Sequence, residues 1–198
     1  AKENSYKIIE KSPGVKIGVI SDLRFGSKYE QIAILKNTDI TSILTDNGCS
    51  YLMYGNKCLT RKPIDLIRKP QGIFLFLHCD DLSFSATPAP FYNNDINYQT
   101  KFSSHCVSYL CKNSFLQTTM LCYLDKTIAC EQRQIIVKNN SNNKKSIDAM
   151  ILLEPILTEE SDYIAHPAFN KLFITSKYDK EYNILIFTKR LRENQTPI

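Results

Sequence analysis

The sequence predicts an all-β protein, an antiparallel β-sandwich with few or no helices. Most of the chain consists of short segments that alternate apolar and polar residues, which is the pattern of half-buried strands. Short polar turns such as Lys112-Asn113-Ser114 separate these segments, and short connections favour antiparallel neighbours. No series of segments has the 3.6-residue apolar period of amphipathic helices. A long antiparallel run buries one face best by folding into two layers.

The strand pattern is clearest in the second half of the chain. Segments there are rich in β-branched and aromatic residues, and they end at turns such as Asp125-Lys126 or the polar run 139–143. Asn, Asp and Ser in such runs favour reversal of the chain. The predicted strands are 98–111, 115–124, 128–138, 146–157, 172–178 and 182–190.

The first half is less regular, but it also predicts strands. Residues 15–20, 31–35 and 40–44 have the composition of strands. The segment 72–78 is almost wholly apolar, which predicts a buried strand at the centre of a sheet. Proline is excluded from central strands because it cannot donate a ladder hydrogen bond. Loops are therefore predicted on either side of this segment, at Pro63, Pro70, Pro88 and Pro90.

Length and composition predict one domain. A chain of 198 residues with 43% hydrophobic residues can bury a sizeable core. The excess of 25 Lys and Arg over 20 Asp and Glu is too small to indicate nucleic acid binding. No apolar stretch has the length of a membrane helix, and residues 1–5 lack a signal-peptide pattern. Seven scattered cysteines without CxxC spacing predict reduced thiols, as in cytoplasmic proteins. Together with the lack of a long apolar stretch, this leads us to expect a cytoplasmic segment without membrane contact.

Residues that could carry catalytic or metal chemistry do not form a convincing group. Asp80 and Asp81 point to opposite faces of an extended strand unless a turn intervenes. The acids at 159–162 lie in a polar run that predicts a loop. Neither group predicts the facing carboxylate pair of a glycosidase. Cys106 points away from its neighbour His105 in a strand. We therefore predict no catalytic residue, no metal and no cofactor.

One run in the C-terminal half resembles a known family signature. Residues 162–173 read DYIAHPAFNKLF, with a Glu-containing strand before them and two basic residues after them. The matching residues are Glu154, Asp162, His166-Pro167-Ala168-Phe169, Leu172-Phe173 and Lys189-Arg190. Further matches upstream are Thr60-Arg61, Asp65, Phe84-Ser85, Glu131, Arg133 and Asn139. In this order they resemble the N-terminal β domain of glycoside hydrolase family 94, formerly called glycosyltransferase family 36.

The resemblance covers residues 31–192 and implies a supersandwich, the galactose-mutarotase-like form of the β-sandwich. It implies a sandwich domain of residues 31–198 and an unmatched segment, residues 1–30, that we expect to pack on it. The family includes cellobiose phosphorylases and cyclic β-1,2-glucan synthases, in which a separate helical barrel carries the catalytic acid. The chain alone is therefore expected to be no enzyme, although its parent protein would transfer glycosyl groups.

The resemblance also implies a role and a partner. We expect the domain to support the helical catalytic barrel of the parent chain, which can be associated with the inner membrane, and to contact a β-glucan. The alternative is a free-standing carbohydrate-binding protein, which would bind glucan oligosaccharides without a barrel. Whether the parent synthesises or phosphorolyses glycan stays open.

Three of the matched residues are candidates for substrate binding: Arg61, Asp65 and His166. The chain has no Trp, so the usual stacking platform for sugar rings is missing. The basic run 189–192 is predicted to be a solvated rim. We predict structural roles for the other matched residues and a pairing of Glu154 with Arg133 inside the sandwich. These structural residues are Glu131, Arg133, Glu154, Asp162, Pro167, Phe169 and Phe173.

Overall fold

A computed structural model of the chain describes residues 31–63 and 69–190 in full, and residues 6–12 and 15–20 by their backbone. The described residues form strands and two short helices. The strands are β1 (Tyr6–Ser12), β2 (Val15–Ile20), β3 (Ile32–Lys36), β4 (Ile40–Thr45), β5 (Ser50–Tyr54), β6 (Lys57–Thr60), β7 (Phe74–Cys79), β8 (Leu82–Ser85), β9 (Asn97–Phe102), β10 (Cys106–Lys112), β11 (Leu116–Leu124), β12 (Glu131–Asn139), β13 (Asp148–Leu152), β14 (Pro155–Glu159), β15 (Ile174–Asp179) and β16 (Ile184–Lys189). The helices are α1 (Glu160–Ala165) and α2 (Pro167–Lys171).

The larger layer is a six-stranded antiparallel sheet in the order β1-β2-β9-β10-β11-β12. Its centre is a meander in which β9, β10 and β11 pair without any register shift. Side chains alternate between the two faces of a strand. Val107, Tyr109 and Cys111 of β10 are therefore buried on one face, together with Leu116 and Met120 of β11.

Two smaller sheets form the facing layer. One has five strands in the order β14-β6-β5-β4-β3, and the other has three in the order β13-β7-β8. The apolar segment 72–78 corresponds to β7, the middle strand of the three-stranded sheet. That position confirms the prediction of a central strand. The loops predicted at the prolines are also confirmed, since Pro63, Pro70, Pro88 and Pro90 all lie outside strands.

One apolar core fills the space between the layers. Tyr109 lies in it with 1% of its surface exposed, and its hydroxyl donates a 2.7 Å hydrogen bond to the Thr45 carbonyl of the facing layer. Fully burying a large apolar side chain stabilises a fold by about 1.5–3 kcal/mol. The predicted antiparallel sandwich is therefore confirmed. The core residues are Leu35, Leu44, Leu75, Leu77, Cys79, Phe84, Ala86, Ile96, Tyr98, Val107, Tyr109, Cys111, Leu116, Met120 and Cys122.

All seven cysteines are free thiols. Burial raises the pKa of Cys111 to about 12 and the pKa of Cys122 to about 11. These two side chains are therefore neutral at physiological pH. They pack as small apolar residues of the core.

Two of the predicted strands are wrong because each is in fact two strands. The segment 98–111 contains a turn after β9, where the Cys106 amide donates to the Ser103 hydroxyl at 3.1 Å. The segment 146–157 divides at Leu153-Glu154. It divides there because β13 pairs with β7 in one sheet and β14 pairs with β6 in another. A chain that changes sheets cannot remain one straight strand.

The N-terminal strands extend the larger sheet through their backbone. β1 pairs with β2, and β2 pairs with β9 through Gly18, Val19 and Ile20. The domain division at residue 30 stays a prediction. Helices are short in the described part of the chain: none has the length and apolar character to cross a membrane.

Candidate functional site

Residues 160–171 form two short helices, so the loop predicted at 159–162 is wrong. Glu160 and Asp162 lie in the first turn of α1, where carboxylates interact favourably with the unpaired amides of the helix start. Pro167 occupies the first position of α2, where its missing N–H costs no helical hydrogen bond. His166 separates the helices with φ −143° and ψ 64°, which is not a helical conformation. The signature run therefore builds a helix–break–helix.

The helix pair packs against the five-stranded sheet. Tyr163 of α1 is buried with Cys58 of β6 and Ile156 of β14. The opposite sides of the helices stay open, since Ile164 is 70% exposed and Leu172 is 76% exposed. We call α1, α2 and the residues that hold them the helical corner.

Glu154 is the charged centre of the helical corner. Its carboxylate accepts a 3.1 Å hydrogen bond from Arg61 Nη1 and forms an ion pair with Lys171 of α2. Burial opposes ionisation of Glu154, but hydrogen bonds from Lys171 and Arg61 outweigh it and lower the pKa of Glu154. The predicted pairing of Glu154 with Arg133 is wrong, because Arg133 lies in a different cluster.

A second tie holds the hairpin β15–β16 to the helical corner. Lys189 is buried, and its ammonium donates a 2.7 Å hydrogen bond to Asn170 Oδ1. The amide of Asn170 donates to the carbonyls of Asp162 and His166 at 2.9 and 3.2 Å. Burial lowers the pKa of Lys189, although the Asp162 carboxylate opposes the effect. The solvated rim predicted at 189–192 is therefore wrong for Lys189; residues 191–192 lie outside the described residues.

The role of Asn170 was missed by the sequence interpretation. The signal that could have revealed this role is the position of Asn170 inside the signature run, four residues after His166. An amide at that spacing on a helix reaches the carbonyls of the preceding turn.

The three candidate substrate-binding residues have different surroundings. Arg61 is half-buried, bonded to Glu154, and stacked 5.9 Å above the Tyr163 ring. Its Nε is buried and finds no hydrogen-bond partner among the described residues. His166 is exposed at the helix break. Asp65 lies outside the described residues. Arg61 and His166 thus lie at the same corner, and His166 is the more exposed of the two.

The aromatic residues of the signature pack with each other. The rings of Phe169 and Phe173 meet edge to face with centroids 4.8 Å apart. The guanidinium of Arg190 lies 5.7 Å from the Phe173 ring centroid. Such contacts contribute about 0.5–1.5 kcal/mol each beyond area burial. They join α2 to the start of β15 and the end of β16.

Glu131 and Arg133 form a separate cluster, which we call the interlayer clamp. Arg133 Nε donates to Glu131 at 2.6 Å, and its Nη1 donates to the Ile73 carbonyl at 2.6 Å. Its Nη2 reaches the Ser50 hydroxyl at 3.1 Å, and Ser42 donates to Glu131. The pair lies on β12, while Ser42 and Ser50 belong to the facing layer. The clamp therefore joins the two layers by charged hydrogen bonds.

The turn between β4 and β5, residues 45–50, is a second junction of the layers. Thr100 donates a 2.7 Å hydrogen bond to the Asp46 carbonyl. Gly48 has φ +93°, and a Cβ there would lie 2.3 Å from the Thr87 side chain. Burial raises the pKa of the Asp46 carboxyl, although the Gln31 amide opposes it by a hydrogen bond. Close packing thus fixes the backbone of this turn.

Among the described residues, two of the acids considered for glycoside hydrolysis each bind a lysine. A turn does intervene at Asp80, which has φ 54°, and the Asp80 carboxylate binds Lys145. Glu160 binds Lys62 at 2.7 Å. Among residues 31–63 and 69–190, His, Cys, Asp and Glu form no group that could hold a metal ion. The polar clusters can tie elements together, and His166 can offer an exposed ring nitrogen.

Comparisons with known proteins agree with the resemblance in the signature run. The sequence model of the family described as glycosyl hydrolase 94, supersandwich domain, matches residues 19–197. Cyclic beta-(1,2)-glucan synthase NdvB of Rhizobium meliloti (strain 1021) is 22% identical over 170 residues. That alignment covers 84% of this chain and 6% of the relative. The chain therefore spans a small part of the length of this relative.

Proposed function

The chain belongs to the glycosyl hydrolase 94 supersandwich family, and from that membership we propose that it is a non-catalytic domain of a glycosyl-transferring enzyme. In this proposal it supports a helical catalytic barrel of the parent protein and contacts a β-glucan. The name of the relative, a cyclic beta-(1,2)-glucan synthase, favours a glucan synthase as the parent.

The observation that carries the proposal is the pairing of the charged signature residues with each other. Glu154 is held by Arg61 and Lys171, and Glu131 is held by Arg133. Glycosyl transfer needs a carboxylic acid that gives its proton to the glycosidic oxygen. A carboxylate whose pKa is lowered by two cations, as in Glu154, is a poor proton donor at neutral pH. These residues act as structural ties, which suits a supporting domain.

The exposed face of the helical corner is the surface that we assign to the barrel. Ile164 of α1 and Leu172, the C-cap of α2, are exposed, and Tyr178 and Leu185 form an exposed cross-strand pair on the adjoining hairpin. Single exposed apolar residues are ordinary, but a group of them indicates a contact surface. The outer surface of a helical barrel offers apolar helix faces that such a group can pack against.

His166 is the residue that we propose for glycan contact. Its ring is exposed at the break between α1 and α2, whereas Arg61 is already engaged by Glu154. An imidazole can donate to or accept from a sugar hydroxyl. Calorimetry of the domain–barrel complex with glucan oligosaccharides tests the role: His166→Ala should weaken binding and leave the free energy of unfolding unchanged. Equal glycan affinity in both proteins would contradict it.

The supporting role is tested by co-purification with the helical barrel that the proposal assigns to the parent protein. The chain and the barrel are expressed together, with the affinity tag on the barrel alone. The unmodified chain should co-purify, and Leu172→Lys should abolish co-purification because it places an ammonium in an apolar contact. Ile32→Lys is the matched control, since Ile32 is also exposed, at 55%, but lies on β3. It should co-purify like the unmodified chain.

Two results would overturn the proposal. One is turnover of a glucosyl phosphate or disaccharide by the chain without the barrel. The other is co-purification of Leu172→Lys as complete as that of Ile32→Lys.

A further inference from the structure

The direction of the His166 side chain depends on the backbone at the break between α1 and α2. The His166 N–H donates to the Asp162 carbonyl at 3.1 Å, and the His166 carbonyl accepts from the Asn170 N–H at 3.1 Å. The imidazole is exposed, and an exposed ring has few neighbours that could fix it. The groups that hold the backbone of the break therefore also set where the ring points.

The helical backbone does not hold this break by itself. In a continuous helix, each N–H donates to the carbonyl four residues before it. Pro167 has no N–H, so the first residue of α2 makes no such bond to α1. The Asn170 side chain spans the break instead. Its Nδ2 donates to the Asp162 carbonyl in α1 and to the His166 carbonyl, at 2.9 and 3.2 Å, and an amide nitrogen has two protons for two such acceptors.

Lys189 determines which way the Asn170 amide faces. The Lys189 ammonium can only donate, and it lies 2.7 Å from Asn170 Oδ1. Oδ1 therefore faces β16, and Nδ2 faces the two carbonyls. Asn170 and Lys189 are each 8% exposed, so water has little access to replace these hydrogen bonds. A buried polar group that loses its partner destabilises a fold, which favours this one arrangement.

We infer that Asn170 is a positioning residue for His166: its amide fixes the break so that the imidazole is presented to a sugar hydroxyl. This inference rests on the proposed glycan contact of His166. Asn170 itself is buried and is assigned no contact with glycan. The positioning role differs from a simple tie between α2 and β16, since that tie needs only the oxygen of the amide.

Asn170→Asp separates the positioning role from the tie. Aspartate has nearly the same size and keeps an oxygen for Lys189, so the hairpin β15–β16 stays attached. An ionised carboxylate has no proton to donate, so both carbonyls at the break lose a donor. The ion pair between Lys171 and Glu154 still holds α2 to the rest of the helical corner, and we therefore expect the variant to fold.

Calorimetry of the domain–barrel complex with glucan oligosaccharides tests the inference in a double-mutant cycle. Asn170→Asp should weaken glycan binding about two- to tenfold, the change that corresponds to one neutral hydrogen bond. In the His166→Ala background it should cause no further loss, because no imidazole is left to position. Asn142→Asp is the matched control, since it adds the same charge at an exposed position between β12 and β13. It should bind glycan like the unmodified chain.

The cycle distinguishes failure of this inference from failure of the proposed function. If His166→Ala binds glycan as tightly as the unmodified chain, the glycan contact of His166 is wrong, and the positioning role is wrong with it. If His166→Ala weakens binding but Asn170→Asp does not, only the positioning role is wrong. An equal loss from Asn170→Asp with and without His166 would also overturn the positioning role, because the effect would then be a general structural one.

Nuclear magnetic resonance of the unmodified 198-residue chain tests the geometry without a substitution. The Nδ2 protons of Asn170 should exchange with water at least about tenfold more slowly than those of the exposed Asn142, because they are buried and hydrogen-bonded. Circular dichroism and urea unfolding establish whether Asn170→Asp is folded. If it is not, the exchange measurement decides, and Asn170 protons that exchange as fast as those of Asn142 would overturn the inference.

Discussion

The centre of the sandwich and its C-terminal third differ in how fully they bury their apolar residues. In β10 and β11, the inward positions from Val107 to Cys122 are at most 1% exposed. In β13 every residue is exposed, and in the hairpin β15–β16 Tyr178 and Leu185 are more than half exposed. Apolar side chains on antiparallel strands are thus buried inside the sandwich in β10 and β11, whereas in β13 and the hairpin β15–β16 they remain exposed.

This difference separates the residues that fold the chain from the exposed residues that we propose as a contact surface. The centre is closed by the interlayer clamp and by the turn at residues 45–50, both of which join the two layers. The C-terminal third is attached in part by more exposed ion pairs, those of Glu154 with Arg61 and Lys171. Substitutions should therefore destabilise the chain strongly in the centre and weakly in the C-terminal third.

The largest effect should come from the interlayer clamp. Arg133→Ala leaves the carboxylate of Glu131, whose side chain is 4% exposed, without its cation. Breaking a buried ion pair in this way costs about 3–5 kcal/mol. The free energy of unfolding in urea measures it. Arg190→Ala, which removes an exposed cation over Phe173, is the control and should cost about 0.5 kcal/mol. Equal losses of unfolding free energy in Arg133→Ala and Arg190→Ala would contradict the difference between the centre and the C-terminal third.

Gly48→Ala should have the next largest effect. The added Cβ would meet Thr87 at 2.3 Å, and the backbone there has φ +93°. Overpacking and left-handed strain together should cost about 3 kcal/mol. Gly55→Ala sharpens the test, because Gly55 also has a positive φ, +56°, but faces open space. It should cost only about 1 kcal/mol. Equal costs would show that packing against Thr87 does not hold the turn.

Glu154→Gln should cost about 1 kcal/mol, because the ion pairs with Arg61 and Lys171 are partly exposed and screened by solvent. The pKa of Glu154 is lower in the folded chain than its ordinary value of 4.5. Its contribution to stability is therefore fully present above pH 4.5 and is lost as the pH falls through the folded pKa. Urea unfolding at several acidic pH values should show a smaller difference between Glu154→Gln and the unmodified chain as the pH falls. A difference that grows on acidification would contradict the lowered pKa.

Leu172→Ala should have the smallest effect on the isolated chain. Leu172 is 76% exposed on the helical corner, so the free energy of unfolding should change by no more than about 0.5 kcal/mol. The matched substitution Leu116→Ala empties a core position with 1% exposure and should cost about 2–5 kcal/mol. Similar costs at the two leucines would remove the distinction between the regions.

Much of the fold was predictable from the sequence because the alternation of apolar and polar residues indicates which side chains of a strand are buried. The apolar segment 72–78 and the strands at 115–124 and 182–190 were recognised from their pattern. Two boundaries were not predictable. The turn at Ser103 lies within an apparently continuous alternation, and the division at Leu153-Glu154 depends on pairing with two different sheets. Pairing partners are tertiary information that a local pattern does not contain.

The site was less predictable than the fold. Motif order identified Glu154, Arg133 and the signature run, but it could not determine which cation meets which carboxylate. Arg61 lies 93 positions before Glu154 in the sequence, and only the pairing of β6 with β14 brings them together. The buried Lys189 was assigned to solvent because lysine is usually exposed; the amide of Asn170 compensates its burial.

Hydrogen exchange along the chain, alone and bound to the barrel, is the most direct test of a closed centre and a C-terminal third that receives a partner. In the isolated chain, the amides of β10 and β11 should exchange at least about a hundredfold more slowly than those of β15 and β16. Addition of the barrel should slow exchange in α1, α2, β15 and β16 and leave β10 and β11 unchanged. Equal protection of both regions in the isolated chain, with no slowing when the barrel is added, would contradict this division.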